Sequence, residues 1–361
     1  MIKKFYKTID IYITKKFLGT FFYAIALILS IAIVFDVSEN LDEFLSKDLP
    51  LTEIVFDYYL NFIPYFANLF SPLFTFIAVI YFTSKMAYNT EIIAILSSGV
   101  SYRRLMKPYL FSAFIIGLFS YTLGNYVIPP ATKTMNAFRQ KNIDNIRDVG
   151  ERNIHRQIEP GVYIYMRSFN SSNVGNSFTM ERFEGAELKE KLTADNIRWD
   201  EETKRWVINN YWKRIIFKDH EEFERGYRMD TTLNMSPEEF KSTKNQMETF
   251  TTPDLKREIK QMKMRGVNTI EWQIERHKRV AGPFSAFILT LIGVGLASRK
   301  IKGGLGFHLG LGLGLSFSYI LFMQISTVFA ISGATPPFVA VWIPNLLYSI
   351  IAFFVYRWAA R

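Results

Sequence analysis

The chain has 361 residues, a formal net charge of +10, a 49% share of hydrophobic residues and no cysteine. Without cysteine it can form neither a disulfide nor a zinc-thiolate or iron–sulfur centre. Much of its positive charge lies in short segments between long apolar runs, where charge sets membrane topology, so we expect no nucleic-acid partner.

Six apolar runs approach or exceed the roughly 20 residues that a helix needs to cross a bilayer core. They cover residues 18–35, 54–82, 108–127, 280–297, 305–331 and 338–358. Their order predicts an α-helical membrane protein with six transmembrane helices and a folded insert between helices 3 and 4. The expected domains are an N-terminal membrane half over 1–129, the insert over 130–270 and a C-terminal membrane half over 271–361.

Charge predicts the orientation of the chain. Segments 1–16, 85–107 and 299–302, together with the C-terminal tail, are rich in Lys and Arg and contain two acids, Asp10 and Glu91. Cytoplasmic loops are enriched in Lys and Arg, so both termini are expected in the cytoplasm and the insert in the periplasm. The first 16 residues also alternate apolar residues with lysines, which predicts an amphipathic lead-in at the membrane interface.

The second apolar run contains polar residues at helical spacing, among them Asp57, Asn61 and Asn68. Asp57 is expected at the level of the outer headgroups. Asn61 and Asn68 are compatible with two roles, hydrogen bonding between helices and lining of a wet cavity, because polar groups in a bilayer face the bundle interior.

The segment between the second and third runs, residues 84–107, is called the coupling segment below. Residues 84–98 have helical spacing, Gly99 is a suitable C-terminal stop and Ser101 can cap a following helix. This pattern predicts a helix, a corner and a second helix at the cytoplasmic face. Two interpretations are open, an ordinary interfacial loop and a rigid knob that fits a cleft in a separate motor protein.

The insert alternates turns with short runs of β-branched and aromatic residues, a pattern typical of antiparallel strands. The predicted strands cover residues 161–169, 177–183, 197–199, 206–212, 215–217 and 226–233. Helices are expected at the start of the insert and over residues 253–265. The pattern predicts an antiparallel sandwich or an open barrel.

The fifth apolar run is rich in glycine. Gly306, Gly310 and Gly314 form a small-xxx-small series on one helical face, which allows close approach of another helix. We expect the partner helix in the same bundle, with a helix of another subunit as the alternative.

The sequence has no set of residues typical of an enzyme. It contains no G-x-x-x-x-G-K-[ST] phosphate loop, no metal-ligand spacing among its four histidines and no nucleophile elbow. We therefore expect a protein that hydrolyses no ATP itself and carries neither a cofactor nor a metal ion.

Several stretches carry a resemblance to a known family. They are residues 91–101 (EIIAILSSGVS), residues 275–283 (ERHKRVAGP), the basic turn and glycine-rich run over 299–314, and the motifs PP at 336–337 and WIPN at 342–345. In these motifs the chain resembles the LptF/LptG permeases of lipopolysaccharide export, the YjgP/YjgQ family. The tryptophan hairpin at 199–206 resembles the periplasmic β-jellyroll of that family.

The resemblance implies an ABC transporter permease in the inner membrane of a Gram-negative bacterium, with a role in outer-membrane biogenesis. Its partners would be a paralogous permease, two copies of a separate cytoplasmic ATPase, periplasmic jellyroll bridge proteins, lipopolysaccharide and membrane lipids. The resemblance also implies that seven residues of the coupling segment face the ATPase: Glu91, Ile92, Ile95, Ser98, Gly99, Arg103 and Arg104.

One region departs from the family pattern. Family members carry lysine near the outer end of the first span, whereas residues 35–44 here are acidic and contain no lysine. Lipid phosphates are therefore expected at other basic residues, such as Lys133, Arg139, Lys278 and Arg279, with a differently phosphorylated lipid as the alternative. The acyl chains are expected to contact phenylalanines of the first two spans, namely Phe21, Phe62, Phe66 and Phe70.

Two other classes of function are weighed. A secondary transporter driven by an ion gradient would need ionisable residues within the spans and broken helices in repeated halves. An envelope assembly or scaffold protein would use the insert to dock other proteins and would hold no lipid inside the bundle.

Overall fold

The structure, a computed structural model, describes residues 8–143, 152–170, 172–240, 246–264, 268–299 and 304–360. The sequence expectations for residues 1–7 of the lead-in and for residues 300–303 at the basic turn lie outside the described residues.

The helices of the described chain follow one another with short connections. They are α1 (Thr8–Glu39), α2 (Leu41–Ser46), α3 (Leu51–Glu53), α4 (Leu60–Tyr88), α5 (Glu91–Ser97), α6 (Tyr102–Thr122), α7 (Ile128–Asn142), α8 (Thr252–Met264), α9 (Ile270–Ala297), α10 (Gly304–Ile331) and α11 (Pro337–Ala359). Two π-helical turns, Ile54–Tyr59 and Leu123–Val127, join α3 to α4 and α6 to α7.

Six helical stretches are long and apolar enough to cross a membrane. They are Thr8–Glu39, Leu51–Tyr88, Tyr102–Asn142, Ile270–Ala297, Gly306–Ile331 and Pro337–Ala359. The six predicted transmembrane helices are thereby confirmed, and the chain is a multi-pass membrane protein. The described part of the predicted lead-in differs from expectation, because α1 runs unbroken from Thr8 and already buries Asp10, Ile13 and Phe17 in its first turns.

The helix α9 lies at the centre of the membrane bundle. It packs against α4, α6, α10 and α11. In an apolar stretch of 18 residues, 61% of α9 is buried, whereas the corresponding share is 22% for α1 and 28% for α10. Glycines permit this packing. A Cβ atom on Gly295 would lie 2.5 Å from the Val355 side chain of α11, so α9 and α11 are close because residue 295 has no side chain.

The coupling segment is divided into more pieces than its sequence predicts. The single helix expected over 84–98 breaks at Asn89 and Thr90, so α4 ends at Tyr88 and α5 is a separate helix. The second helix of the corner, expected at the membrane face, is the start of α6 and continues into the third span.

The inserted β domain is one six-stranded antiparallel sheet with the strands in chain order, that is, a meander with β1 and β6 at its edges. The strands are β1 (Arg152–Glu159), β2 (Val162–Phe169), β3 (Val174–Glu184), β4 (Glu187–Asp200), β5 (Arg205–Ile216) and β6 (Glu221–Thr231). The predicted strands at 206–212 and 215–217 are one strand. The polar β1 is missing from the prediction because its sequence has few β-branched or aromatic residues.

The core of the β domain collects the buried side chains of five strands and the segment after β6. Trp206 and Phe178 are fully buried there, and the Trp206 indole N–H donates to the Met235 carbonyl at 3.1 Å. A buried indole needs such an acceptor. The bond therefore ties the segment that follows β6 to the core of the sheet.

The chain divides into two compact units. One comprises Met1–Ile143, Met247–Leu255 and Ile270–Arg361, and the other comprises Asp144–Gln246 and Lys256–Thr269. The helical start of the predicted insert, α7, therefore groups with the membrane helices. Residues 246–252, which lead from the β domain into α8, are called the connector below, and all but the first of them also group with the membrane helices.

Candidate functional site

The helix α5 is a short projection held between two left-handed backbone positions. Thr90 has φ +63° immediately before it, and Gly99 has φ +85° after it. Glycine adopts this region at no cost, whereas a β-branched residue there is a genuine outlier. Ser101 then accepts a hydrogen bond from the Arg104 backbone N–H at 3.3 Å and caps α6, so the predicted stop at Gly99 and the predicted cap are both confirmed.

The two faces of α5 have different environments. Ile92 is 1% exposed and anchors α5 on the bundle, and Ile95 packs on the same core. Ile93 is 53% exposed and Leu96 is 37% exposed. The apolar residues presented outward are therefore Ile93 and Leu96, which the sequence analysis did not select. Nearly every position of α5 is apolar, so its spacing does not distinguish the buried face from the free one.

The charged residues selected in the coupling segment have neighbours within this chain. Glu91 accepts hydrogen bonds from the Tyr12 hydroxyl at 3.1 Å and from the Asn89 side chain at 3.2 Å. Arg104 donates to both carboxylate oxygens of Asp10, at 2.6 and 2.5 Å. Arg103, by contrast, is exposed. Ser98 and Gly99 lie exposed at the corner that follows α5.

The phenylalanines selected for acyl-chain contact separate into two groups. Phe21 is fully buried and Phe62 is 5% exposed, so both serve the packing of the bundle in this structure. Phe66 and Phe70 are half-buried. The rings along α4 form a ladder, with centroids 3.9 Å apart for Phe62 and Phe66 and 6.2 Å apart for Phe66 and Phe70. The partly exposed portion of this ladder is the part that can meet an acyl chain.

The basic residues selected for lipid phosphates also separate. Lys133 is exposed, and Arg139 and Lys278 are half-buried. Arg279 is 7% exposed, and its guanidinium donates to Glu275, to the Phe250 and Met247 carbonyls and to the Thr252 hydroxyl. Because these acceptors occupy several of its guanidinium donors, Arg279 contributes to the internal structure of the chain.

The Arg279 contacts hold the connector between the β domain and α9. The Thr252 hydroxyl donates onward to Asn125, at 2.6 Å, and Asn125 lies in the π-helical turn after α6. The connector is thus bonded to the helix that leaves the membrane bundle and to the helix that enters it.

Glu248 lies in this connector beside the carboxylate of Glu275. Burial, together with the negative charge of Glu275, raises the pKa of Glu248 to about 7, and Arg279 and Lys278 lower it in part. A carboxyl group with a pKa in this range changes its charge near neutral pH.

Part of the acidic C-terminal end of α1 is bonded to the neighbouring π-helical turn. Asp36 accepts hydrogen bonds from the hydroxyls of Tyr58 and Tyr59, at 3.1 and 3.0 Å. The nearest lysine along the chain, Lys47, donates to the Asn142 carbonyl at the end of α7. Asp36 is therefore a structural residue, which explains why an acid is tolerated in this stretch.

The polar residues of the second span form intramolecular hydrogen bonds. Asn68 accepts from the Ser120 hydroxyl at 2.6 Å and so links α4 to α6. Asn61 donates to the carbonyls of Phe56 and Asp57 in the π-helical turn. Of the two roles left open by the sequence, the structure assigns interhelical hydrogen bonding to Asn68. Asn61 instead bonds to backbone carbonyls of its own helical stretch.

The glycines of α10 do not form the packing face expected inside this bundle. A Cβ atom on Gly306, Gly310 or Gly314 would meet nothing within 4 Å. Gly312, on another side of α10, would bring a Cβ atom to 2.6 Å from the Ile80 side chain of α4. Within the described part of the chain, the small-xxx-small face thus meets no other helix, because α10 packs through Gly312 instead.

Among the described residues, no group of three or more His, Cys, Asp or Glu side chains is arranged to hold a metal ion. A family model described as the lipopolysaccharide export system permease LptF/LptG matches residues 11–358. A comparison with curated proteins gives no match.

Proposed function

The chain belongs to the LptF/LptG family, the permeases of the lipopolysaccharide export system, and from this premise we propose that it is the permease subunit of an ATP-driven lipid exporter. The subunit extracts lipopolysaccharide from the inner membrane and passes it to a periplasmic bridge, and a separate subunit hydrolyses the ATP. The observation that carries the proposal is the family match across both membrane halves and the insert.

The exposed face of α5 is the docking surface for the ATPase. It presents Ile93 and Leu96 on a short helix fixed at both ends by corners. A small apolar projection flanked by Arg103 and Ser98 suits a cleft in a cytoplasmic motor, since an apolar anchor in a pocket dominates binding energy. Among the residues implied by the resemblance, Ile92 and Ile95 pack against the core of the membrane bundle and so fix the position of α5.

The half-buried phenylalanines of α4 form part of the wall along which acyl chains leave the bilayer. Each buried CH₂ contributes about 0.8 kcal/mol, so a lipid with several chains would need tens of kcal/mol to leave unaided. Contact with Phe66 and Phe70 replaces lipid neighbours by aromatic ones and removes most of that cost. Lys133, Arg139 and Lys278 are the basic residues available for headgroup phosphates.

The exposed flanks of α1 and α10 are the surfaces for the paralogous permease. These two spans are the least buried of the six, and the Gly306, Gly310 and Gly314 face of α10 allows close approach of a helix from another subunit. This assignment adopts the second of the two partners considered for the glycine series.

The edge strand β6 is the contact for the periplasmic bridge. It pairs with β5 on one side, and it carries Phe223 and Tyr227 at 65% and 81% exposure. An exposed edge strand can extend its sheet with a strand of another protein. In this arrangement both termini and α5 lie in the cytoplasm, and the β domain lies in the periplasm.

Co-purification tests the ATPase assignment. Ile93→Glu is expected to abolish recovery of the ATPase with the chain, because a charge enters the apolar contact. Lys85→Glu, a charge change at an exposed position of α4, is the matched control and is expected to retain the ATPase. Equal recovery of the ATPase with both variants would refute the docking surface.

Photocrosslinking tests the lipid route. A photoreactive amino acid at Phe66 or Phe70 is expected to give lipopolysaccharide adducts that decrease when ATP is supplied. The same probe at Phe353, which is 55% exposed on α11, is expected to give phospholipid adducts that do not respond to ATP. Adducts that follow an ion gradient without the ATPase would favour a secondary transporter, and no lipid adduct at all would favour a scaffold protein.

A further inference from the structure

An ion pair between a buried carboxylate and a partly exposed guanidinium joins α1 to α6 beside the coupling segment. The Arg104 guanidinium binds both carboxylate oxygens of Asp10, at 2.6 and 2.5 Å. Asp10 is 3% exposed. Arg104 lies in the first turn of α6, a few residues after the corner at Gly99 that ends α5. The pair therefore connects the first turn of α1 to the point where α5 passes into the third span.

A second contact joins α1 to α5 itself. The Tyr12 hydroxyl donates to Glu91 at 3.1 Å, in the first turn of α5. The Tyr12 ring also packs edge-on against Phe82 of α4, with centroids 6.2 Å apart. One turn of α1 thus contacts the first turn of α5 through Glu91 and the first turn of α6 through Arg104.

The geometry makes this connection stiff. A bidentate pair between a guanidinium and a carboxylate fixes distance and orientation together, and here the carboxylate belongs to Asp10, which is 3% exposed. The packing below it is continuous, since Ile13 and Phe17 of α1 are fully buried in the core shared with α4 and α6. We therefore expect a displacement of α5 to move α1 by a similar amount.

We infer that Asp10 and Arg104 are positioning residues that transmit the motion of the coupling segment to α1. The inference rests on the proposed function, in which an ATPase moves α5. The first span, whose flank is among the least buried of the bundle, is then moved from the ATPase side through the first turns of α5 and α6. The partner of this ion pair is internal, so Arg104 acts through α1 and not by touching the ATPase.

Paired spin labels test the inference in the complete chain, reconstituted in nanodiscs with the ATPase that co-purifies with it. The natural sequence has no cysteine, so Lys15→Cys on α1 and Phe354→Cys on α11 can be labelled without removing other thiols. Binding of a non-hydrolysable ATP analogue is expected to shift the distance between the labels by about 1–5 Å, between the small helix shifts and the one-turn displacements of switching proteins.

The main variant is the double substitution Asp10→Asn with Arg104→Gln. It removes both charges of the pair together, so neither Asp10 nor Arg104 stays charged opposite a neutral partner, and we expect the fold to be retained. We expect it to keep the ATPase bound and hydrolysing ATP, and to lose the nucleotide-dependent shift of α1. The charge swap Asp10→Arg with Arg104→Asp is expected to restore the shift. Lys107→Gln, which removes an exposed charge one turn further along α6, is the control and is expected to leave the shift unchanged.

The outcomes separate this inference from the proposed function. If no ATPase co-purifies with the parent chain, or nucleotide produces no shift in it, the proposed function falls and the inference falls with it. If the parent responds and the neutral double variant shows the same shift, the proposed function stands and the role of Asp10 and Arg104 is refuted. Loss of the shift in the Lys107→Gln control as well would also refute it, because the effect would not belong to the ion pair.

Discussion

Replacement of Arg279 distinguishes an internal clamp from a lipid-phosphate site. Arg279→Gln removes the guanidinium that donates hydrogen bonds to Glu275, to the Met247 and Phe250 carbonyls and to the Thr252 hydroxyl. Loss of one partner of a buried pair costs about 3–5 kcal/mol. Glu275 is 20% exposed and regains some hydration, so the lower end of that range applies. The cost falls on the connector over residues 246–252, because the lost bonds lead to it.

Hydrogen exchange of the connector measures this cost. A loss of about 3 kcal/mol corresponds to a roughly 10²-fold larger population of the open connector and to exchange that is faster by the same factor. Lys107→Gln, at an exposed position of α6, is the control and is expected to leave exchange over residues 246–252 unchanged. Unchanged exchange in Arg279→Gln, combined with weaker binding of phosphate-bearing lipid, would refute the clamp and restore the interpretation of Arg279 as a headgroup contact.

Three further predictions follow from local geometry. Gly295→Val is expected to destabilise the bundle by about 1–3 kcal/mol through overpacking against Val355, whereas Gly310→Val leaves the thermal stability of the isolated chain unchanged; equal effects would contradict the packing. Glu248, with its folded-state pKa raised from 4.5 to about 7, keeps a proton that the unfolded chain releases, so its contribution to stability is present below pH 4.5 and is lost as the pH rises through 7. Glu248→Gln is expected to flatten the dependence of the unfolding temperature on pH across this window, and an unaltered dependence would contradict the shifted pKa. Thr90→Gly is expected to stabilise the corner before α5 by about 1 kcal/mol, because glycine relieves the left-handed strain at that position; a lower unfolding temperature would contradict the strain.

The coupling segment illustrates which parts of a site can be predicted from sequence. The stop at Gly99 and the cap at Ser101 depend on bonds within four residues, and both were predicted. The break at Thr90 was not, because a threonine with helical neighbours has no local reason to turn left-handed. The sequence also did not distinguish the buried Ile92 from the exposed Ile93, since burial there depends on which side of α5 meets α4 and not on spacing.

The sequence alone determined the six spans and the existence of a strand-rich insert. Their physical basis is local, because a bilayer requires long apolar helices and strands require alternating patterns, and both can be recognised in a single stretch of chain. Tertiary structure decided what each polar or small residue does. Asp10 meets Arg104 across 94 positions, Arg279 turns inward to the connector, and the Gly306, Gly310 and Gly314 face turns outward. Such pairings depend on which helix faces meet. Helical periodicity indicates which face of a helix is apolar, but it does not identify the helix that packs against that face.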